Sequence, residues 1–135
     1  MESPPVVAIV DDDPSVLRAL HRVVEVAGYT VQPFASAREC LDALARGRAA
    51  CLILDIHLNS GMSGFELQER LAASGVGVPV IFITANDDAR TRERTDKSGA
   101  AGSLSKPVDR QALLEAIRRA IALGEGPLGR PDAAT

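Results

Sequence analysis

Three short apolar runs constrain the fold of this chain more than any other sequence feature. They are Val6–Val10, Cys51–Asp55 and residues 78–84, and none of them alternates apolar with polar residues. Such runs, rich in Val, Ile and Leu, are typical of strands that are buried on both faces of a parallel sheet. We therefore expect a central parallel sheet with a covering layer on each side.

Helical patterns separate these runs. After Asp13-Pro14, which is typical of a helix N-cap and first turn, apolar residues recur at helical spacing as far as Gly28. Weaker strands are predicted at residues 29–34 and at Gly102–Ser105. Five strands that alternate with five helices through short connections predict a doubly wound α/β fold, with a five-stranded parallel sheet and helices on both faces.

Length and composition fit one globular domain. The chain has 135 residues, of which 46% are hydrophobic and 24% are charged, so it can bury a core without disulfide bonds. We place this domain at residues 5–123. Residues 124–135 are rich in Gly, Pro and Ala, and we predict that they form a flexible tail or the remnant of a linker.

The sequence disfavours several classes of function. The net charge is −3 and no run of Lys or Arg forms a basic stripe, which argues against direct binding of nucleic acid by this segment. No apolar run is long enough to span a membrane, and the N-terminus lacks a signal-peptide pattern. Cys40 and Cys51 lack the spacing of a metal or redox pair. These features predict a cytoplasmic protein.

Polar residues stand at the ends of four predicted strands. Asp11 and Asp12 follow the first strand, Asp55 ends the third, Thr84 ends the fourth and Lys106 follows the fifth. Because ligands of doubly wound sheets bind beyond the carboxyl ends of the strands, we expect these side chains to converge. Neighbouring carboxylates repel one another unless a cation lies between them, and magnesium prefers oxygen ligands. The pattern therefore predicts a Mg²⁺ site.

The same residues suit phosphoryl transfer. The Thr84 hydroxyl and the Lys106 ammonium group would donate hydrogen bonds to phosphoryl oxygens, where negative charge accumulates. Asp55 would then be the nucleophile, and the product would be an acyl phosphate.

Five motifs in a fixed order link this pattern to a known family. They are Asp11-Asp12-Asp13, Leu54-Asp55, Met62-Ser63-Gly64-Phe65-Glu66-Leu67, Thr84-Ala85 and Lys106-Pro107. Together they resemble the receiver domain of response regulators, the CheY-like superfamily of bacterial two-component systems, over roughly residues 5–123. The resemblance implies a flavodoxin-like sheet with strand order 2-1-3-4-5 and a cis peptide bond between Lys106 and Pro107.

The resemblance also implies roles at the site. Asp12 and Asp55 would ligate Mg²⁺ directly, and Asp11 would ligate it through water. His57 would contribute its main-chain carbonyl. Asp55 would accept the phosphoryl group from a phosphohistidine of a histidine kinase or a phosphotransfer protein, while the threonine and lysine named above would bind the transferred group.

The implied protein is a phosphoacceptor in a phosphorelay and not an enzyme, since it would promote only its own phosphorylation and dephosphorylation. It would stand alone or form the N-terminal part of a transcriptional regulator. Its partners would be the phosphodonor and either a downstream protein or an output domain outside these residues. It would be a monomer or a phosphorylation-linked dimer.

Two alternative functions have less support. A receiver-like binding scaffold that is never phosphorylated conflicts with the complete set of acids, Thr84 and Lys106. A flavin- or nucleotide-binding enzyme of the same fold would need a Gly-rich loop at the position where Asp11-Asp12-Asp13 stands.

The sequence departs from the family pattern in the elements that transmit the signal. The loop after Asp55 is one residue longer than usual and lacks the usual proline, and Ser103 stands where relatives carry an aromatic residue. The predicted helix at residues 87–98 contains no large apolar residue, which predicts loose docking on the sheet. We therefore expect phosphorylation to act by ordering this helix instead of by moving an aromatic side chain.

Overall fold

Strands and helices alternate throughout the part of the chain that the structure describes, which comprises residues 4–59 and 61–125. The structure is a computed structural model. Its elements are, in chain order, β1 (Val6–Val10), α1 (Pro14–Val26), β2 (Thr30–Phe34), α2 (Ala37–Arg46), β3 (Cys51–Asp55), α3 (Gly64–Ala73), β4 (Val80–Thr84), α4 (Ala89–Lys97), β5 (Gly102–Ser105) and α5 (Arg110–Glu125). None of the described helices is both long and apolar enough to cross a membrane.

The five strands form one parallel sheet in the order β2-β1-β3-β4-β5. This order confirms the predicted doubly wound, flavodoxin-like fold. The strand order reverses between β1 and β3, and their carboxyl ends flank the crevice where ligands of such folds bind. Two prolines fit this sheet: Pro33 lies in the edge strand β2, and β4 begins at Val80, just after Pro79, because proline cannot donate to the ladder.

Side chains of the central strands alternate between two apolar cores, one on each face of the sheet. On β3, Leu52 and Leu54 face the core under α2 and α3, whereas Cys51 and Ile53 face the core under α1 and α5. All four side chains are fully buried. The strand shows no polar alternation because neither face of the sheet reaches solvent at β3.

Both cysteines lie in these cores. Cys40 on α2 and Cys51 on β3 are buried free thiols, and burial raises the pKa of each to about 12. A thiol with such a pKa stays protonated at neutral pH and is a poor nucleophile or metal ligand.

The helix α4 begins later than predicted. It starts at Ala89 instead of residue 87, because Asp88 is its N-cap and accepts a hydrogen bond from the Thr91 N–H. Within α4, all of whose residues are described, Thr95 alone is buried. The helix therefore buries little apolar surface against the sheet, as its composition predicts.

The helix α5 continues through Glu125, two residues beyond residue 123, where the sequence predicts the end of the domain. The domain boundary itself stays a prediction. Gly124 favours a helix end in sequence, but it lies against Pro79, whose ring carbon would be 3.3 Å from a Cβ at that position. The rest of the predicted tail, residues 126–135, lies outside the described residues.

Candidate functional site

Three carboxylates meet at the carboxyl ends of β1 and β3. Asp11 and Asp12 follow β1, and Asp55 is the last residue of β3. One carboxylate oxygen from each residue lies within 4.8 Å of the other two. Asp11 and Asp55 are buried, whereas Asp12 is partly exposed, so solvent reaches the cluster at Asp12.

Lys106 reaches this cluster from the loop after β5. Its Nζ donates a hydrogen bond to Asp55 Oδ2 at 2.9 Å and lies 3.2 Å from Asp11 Oδ2. The lysine side chain is 22% exposed, and those of Asp11 and Asp55 are 1% and 5% exposed, so the ion pairs are largely shielded from water. The peptide bond between Lys106 and Pro107 is cis, as the resemblance implies.

Main-chain N–H groups orient the two buried carboxylates. The Asp13 N–H donates to Asp11 Oδ1 at 2.9 Å, and the His57 N–H donates to Asp55 Oδ1 at 3.0 Å. Each donor comes two residues after its acceptor, in the turn that leaves the strand. The carboxylates are therefore held by short local bonds of the kind that Asp makes in turns.

Burial and neighbouring charges shift the pKa of two groups at the site. Burial, and then the charge of Asp55, raises the pKa of Asp11 above its ordinary value against the opposing effects of the Asp13 N–H and Lys106. Burial alone would lower the pKa of Lys106, but the hydrogen bond and charge of Asp55, with the charge of Asp11, raise it. Lys106 is thus a fixed cation at neutral pH, and the ionised form of Asp11 is disfavoured.

The donor set fits a hard divalent cation. Asp11 Oδ2 is buried, and its contact with the described residues is the ion pair with Lys106 Nζ at 3.2 Å, which leaves it without a well-formed hydrogen bond. A buried acceptor in this state costs free energy, and a cation bound beside it would satisfy the oxygen. Three carboxylates with solvent access on one side suit Mg²⁺, which takes oxygen ligands and keeps several waters.

The Thr84 hydroxyl is engaged by a neighbouring turn. Its Oγ1 donates to the Asn86 carbonyl at 3.1 Å and accepts from the Asn86 N–H at 3.0 Å. Thr84 is buried at the end of β4, the strand that pairs with β3. No hydrogen bond joins Thr84 to Asp55 within residues 4–59 and 61–125. The role of its hydroxyl toward a group on Asp55 stays a prediction.

His57 takes part in the site through its main chain. Its N–H orients Asp55 Oδ1, and its side chain is exposed. The role of its carbonyl as a metal ligand stays a prediction.

Two residues shape the site without having been given a role from the sequence. A Cβ on Gly64 would lie 2.5 Å from the Asp55 carbonyl oxygen and 2.9 Å from the Ile56 Cα, so only glycine fits. The available signal was the glycine in the motif Met62-Ser63-Gly64-Phe65-Glu66-Leu67, directly after the helix N-cap Ser63. The other residue is Asn59, whose N–H donates to Asp12 Oδ2 at 2.7 Å. A main-chain donor leaves no signal in the sequence.

Comparison with known proteins points to a single family. A family model described as the response regulator receiver domain matches residues 7–118. Nodulation protein W of Bradyrhizobium diazoefficiens is 39% identical over 112 residues, which are 83% of this chain and 49% of that protein. Response regulator protein TodT of Pseudomonas putida is 38% identical over 118 residues, 87% of this chain and 52% of that protein. The chain thus spans about half the length of these curated relatives.

A solved structure gives the same result. The low-resolution structure of response regulator StyR superposes with a TM-score of 0.80 at 41% sequence identity. The match covers 90% of this chain and 61% of that chain. The sequence comparison and the structure comparison therefore both identify response regulators as relatives.

Proposed function

Because this chain belongs to the response regulator receiver domain family of two-component systems, we propose that Asp55 accepts a phosphoryl group. The donor would be the phosphohistidine of a histidine kinase or a phosphotransfer protein. The observation that carries the proposal is the 2.9 Å contact between Lys106 Nζ and Asp55 Oδ2 beside a cluster of three carboxylates. An ammonium group in this position can bind a phosphoryl oxygen as the phosphoryl group reaches Asp55.

The chemical step moves phosphorus from nitrogen to oxygen. A carboxylate oxygen of Asp55 attacks the phosphorus, the P–N bond of the phosphohistidine breaks, and the P–O bond of an acyl phosphate forms. The electron pair of the broken bond stays on the histidine nitrogen. Lys106 Nζ would then donate to a phosphoryl oxygen, and the Thr84 hydroxyl would do so after releasing Asn86.

We propose Mg²⁺ as the cofactor. Asp11, Asp12 and Asp55 would hold the ion, and the His57 carbonyl would be a further ligand. When bound, Mg²⁺ neutralises carboxylate charge and polarises phosphoryl oxygens. The buried, unsatisfied Asp11 Oδ2 supports this assignment.

Intact-mass measurement tests the proposal. The chain is incubated with Mg²⁺ and a small acyl phosphate as phosphodonor. We expect one phosphoryl adduct on the wild type, which disappears in Asp55→Asn and in the presence of a chelator. Asp42→Asn changes an exposed carboxylate on α2 and should keep the adduct. A wild type without an adduct, or an Asp55→Asn variant that gains one, would contradict the proposal.

Further proposals concern the whole protein. Since the chain spans about half of its curated relatives, we propose that the signal passes to an output domain or to a separate downstream protein. The domain would act in the cytoplasm, as a monomer or as a phosphorylation-linked dimer. It would promote only its own phosphorylation and dephosphorylation and would have no other substrate.

A further inference from the structure

A hydrogen bond ties the loop between β3 and α3 to Asp12. The Asn59 N–H donates to Asp12 Oδ2 at 2.7 Å across 47 positions of the chain. The other hydrogen bonds described for the three carboxylates measure 2.9 to 3.0 Å. This bond is therefore the shortest of the set, and it joins two separate turns of the site.

The orientation of the Asp12 side chain depends on this bond more than the orientations of Asp11 and Asp55 depend on any one bond. Asp11 and Asp55 are buried, and each contacts Lys106 in addition to a local N–H. Asp12 is partly exposed, and among the described residues the Asn59 N–H is its one hydrogen-bond donor. Without that donor the Asp12 side chain would sample several rotamers and would lose this freedom on binding a cation.

The bond leaves half of the carboxylate available. Oδ2 of Asp12 is engaged by the loop, so Oδ1 remains to meet a cation beside Asp11 and Asp55. Donors in this position orient metal ligands and increase metal affinity. A hydrogen bond from an N–H to a carboxylate is charge-assisted, and it is stronger than a hydrogen bond between two neutral groups.

The donor exists because of the composition of this loop. Residues 56–63 contain no proline, although the family pattern includes one in this loop. A proline at residue 59 would have no N–H to donate.

We propose that the Asn59 main-chain N–H is a positioning group for the metal site, which holds Asp12 in the orientation that ligates Mg²⁺. This inference rests on the Mg²⁺ site of the proposed function. Cation binding and the order of the loop are then coupled, and the coupling is reciprocal: Mg²⁺ orders the loop, and the ordered loop increases the affinity for Mg²⁺.

Calorimetric titration with Mg²⁺ alone tests the inference. Asn59→Pro removes the N–H, whereas the conservative variant Asn59→Ala keeps it. We expect Asn59→Pro to bind Mg²⁺ roughly tenfold more weakly than the wild type and Asn59→Ala to stay within about twofold of it. Circular dichroism shows whether each variant is folded.

A second measurement is independent of the proline variant. In the metal-free protein, NMR hydrogen exchange of the Asn59 amide should be slower in the wild type than in Asp12→Ala. Asp42→Ala, which removes an exposed carboxylate on α2, should leave the Asn59 amide protected.

The outcomes separate this inference from the proposed function. Equal Mg²⁺ affinity of Asn59→Pro and the wild type overturns the inference but not the proposed Mg²⁺ site. The same conclusion follows if the exchange rate of the Asn59 amide is unchanged in Asp12→Ala. Equal weakening by Asn59→Pro and Asn59→Ala assigns the effect to the side chain and also overturns it. No saturable Mg²⁺ binding by the wild type overturns both the inference and the proposed cofactor.

Discussion

Lys106 offsets part of the negative charge of the site in the metal-free protein. Two buried carboxylates, those of Asp11 and Asp55, share its ammonium group at 3.2 and 2.9 Å. A buried charge that loses its partner destabilises a fold strongly, whereas an exposed pair contributes little. The lysine should therefore matter for stability as well as for phosphoryl binding.

Replacing Lys106 with methionine should lower the free energy of unfolding of the metal-free protein by about 2 kcal/mol, less than for a fully buried pair because the lysine is partly exposed. Mg²⁺ should restore part of the loss, since it neutralises the same carboxylates. Urea denaturation with and without chelator measures both effects. Lys97→Met breaks an exposed pair with Glu93 and should change stability by about 0.5 kcal/mol or less.

The pH dependence of this contribution has a defined sign. The pKa of Lys106 is raised in the folded protein from an ordinary value of 10.5. Its contribution is therefore fully present below pH 10.5 and is lost as the pH rises through the folded pKa. If the metal-free Lys106→Met variant is as stable as the wild type at neutral pH, Lys106 makes no such contribution to stability.

Gly64 sets the position of the Asp55 backbone. A Cβ at residue 64 would lie 2.5 Å from the Asp55 carbonyl oxygen. The carbonyl belongs to the main chain and a Cβ is fixed by the main chain, so neither can move cheaply. We expect Gly64→Ala to destabilise the protein by about 2 kcal/mol and to slow phosphorylation, as measured by thermal unfolding and by mass. Gly47→Ala, whose Cβ would meet only the Ala43 carbonyl at 3.7 Å, is the control. If Gly64→Ala is as stable as the wild type, the close approach of residue 64 to the Asp55 carbonyl does not require glycine.

The sequence predicts which residues form the site but not all of their contacts. Asp11, Asp55 and Lys106 can be placed because each lies at or just after the end of a predicted strand of a parallel sheet, whose carboxyl ends meet along one edge. The hydrogen bond to Asp12 cannot be predicted, because its donor is the main-chain N–H of Asn59, 47 positions away.

Among the elements, α4 is the one attached to the fold by few contacts. Its buried residue is Thr95. The Arg94 guanidinium lies 4.3 Å from the centroid of the Phe65 ring, and the Gln68 amide on α3 donates to the Ser98 carbonyl at 3.2 Å. Phe65 directly follows the glycine that touches Asp55, so this cation–π contact lies one residue from the site.

Phosphorylation should increase the hydrogen-exchange protection of residues 87–98, because it favours the docked state of a weakly held helix. Arg94→Ala should reduce the protection of α4 before and after a phosphoryl mimic is added. The expected decrease in the free energy of opening of the helix is about 0.5–1 kcal/mol, the size of an exposed cation–π contact. Arg90→Ala removes an exposed arginine of the same helix and is the control. Unchanged protection with the mimic would rule out ordering of α4 as the output.

Element boundaries depend on tertiary contacts that the sequence does not reveal. Asp87 and Asp88 are both suitable N-caps, and the structure selects Asp88 because the Asp87 carboxylate instead accepts from the Ser105 hydroxyl at 3.1 Å. Similarly, Gly124 favours a helix end, yet α5 continues past it where it lies against Pro79. The strands are predicted better, since burial on both faces imposes a continuous apolar run.

At the scale of the whole molecule, the shared fold carries an unexpected residue on β5. The chain superposes on StyR with a TM-score of 0.80, but Ser103 is an exposed serine on β5 at a position where the family pattern has an aromatic residue. A serine cannot move an aromatic ring inward on phosphorylation. We therefore expect signal output through this face to depend on the ordering of α4, and we propose the output domain or downstream protein named above as its recipient.

Locating the phosphoryl group on the chain tests the central proposal most directly. After incubation with Mg²⁺ and a small acyl phosphate, borohydride reduces an aspartyl phosphate to homoserine, and peptide mass spectrometry then gives its position. We predict homoserine at residue 55 alone, and none when Mg²⁺ is removed. Homoserine at residue 11 or 12, or a phosphorylated chain whose Asp55 stays unmodified, would contradict the assignment of Asp55 as the phosphoryl acceptor.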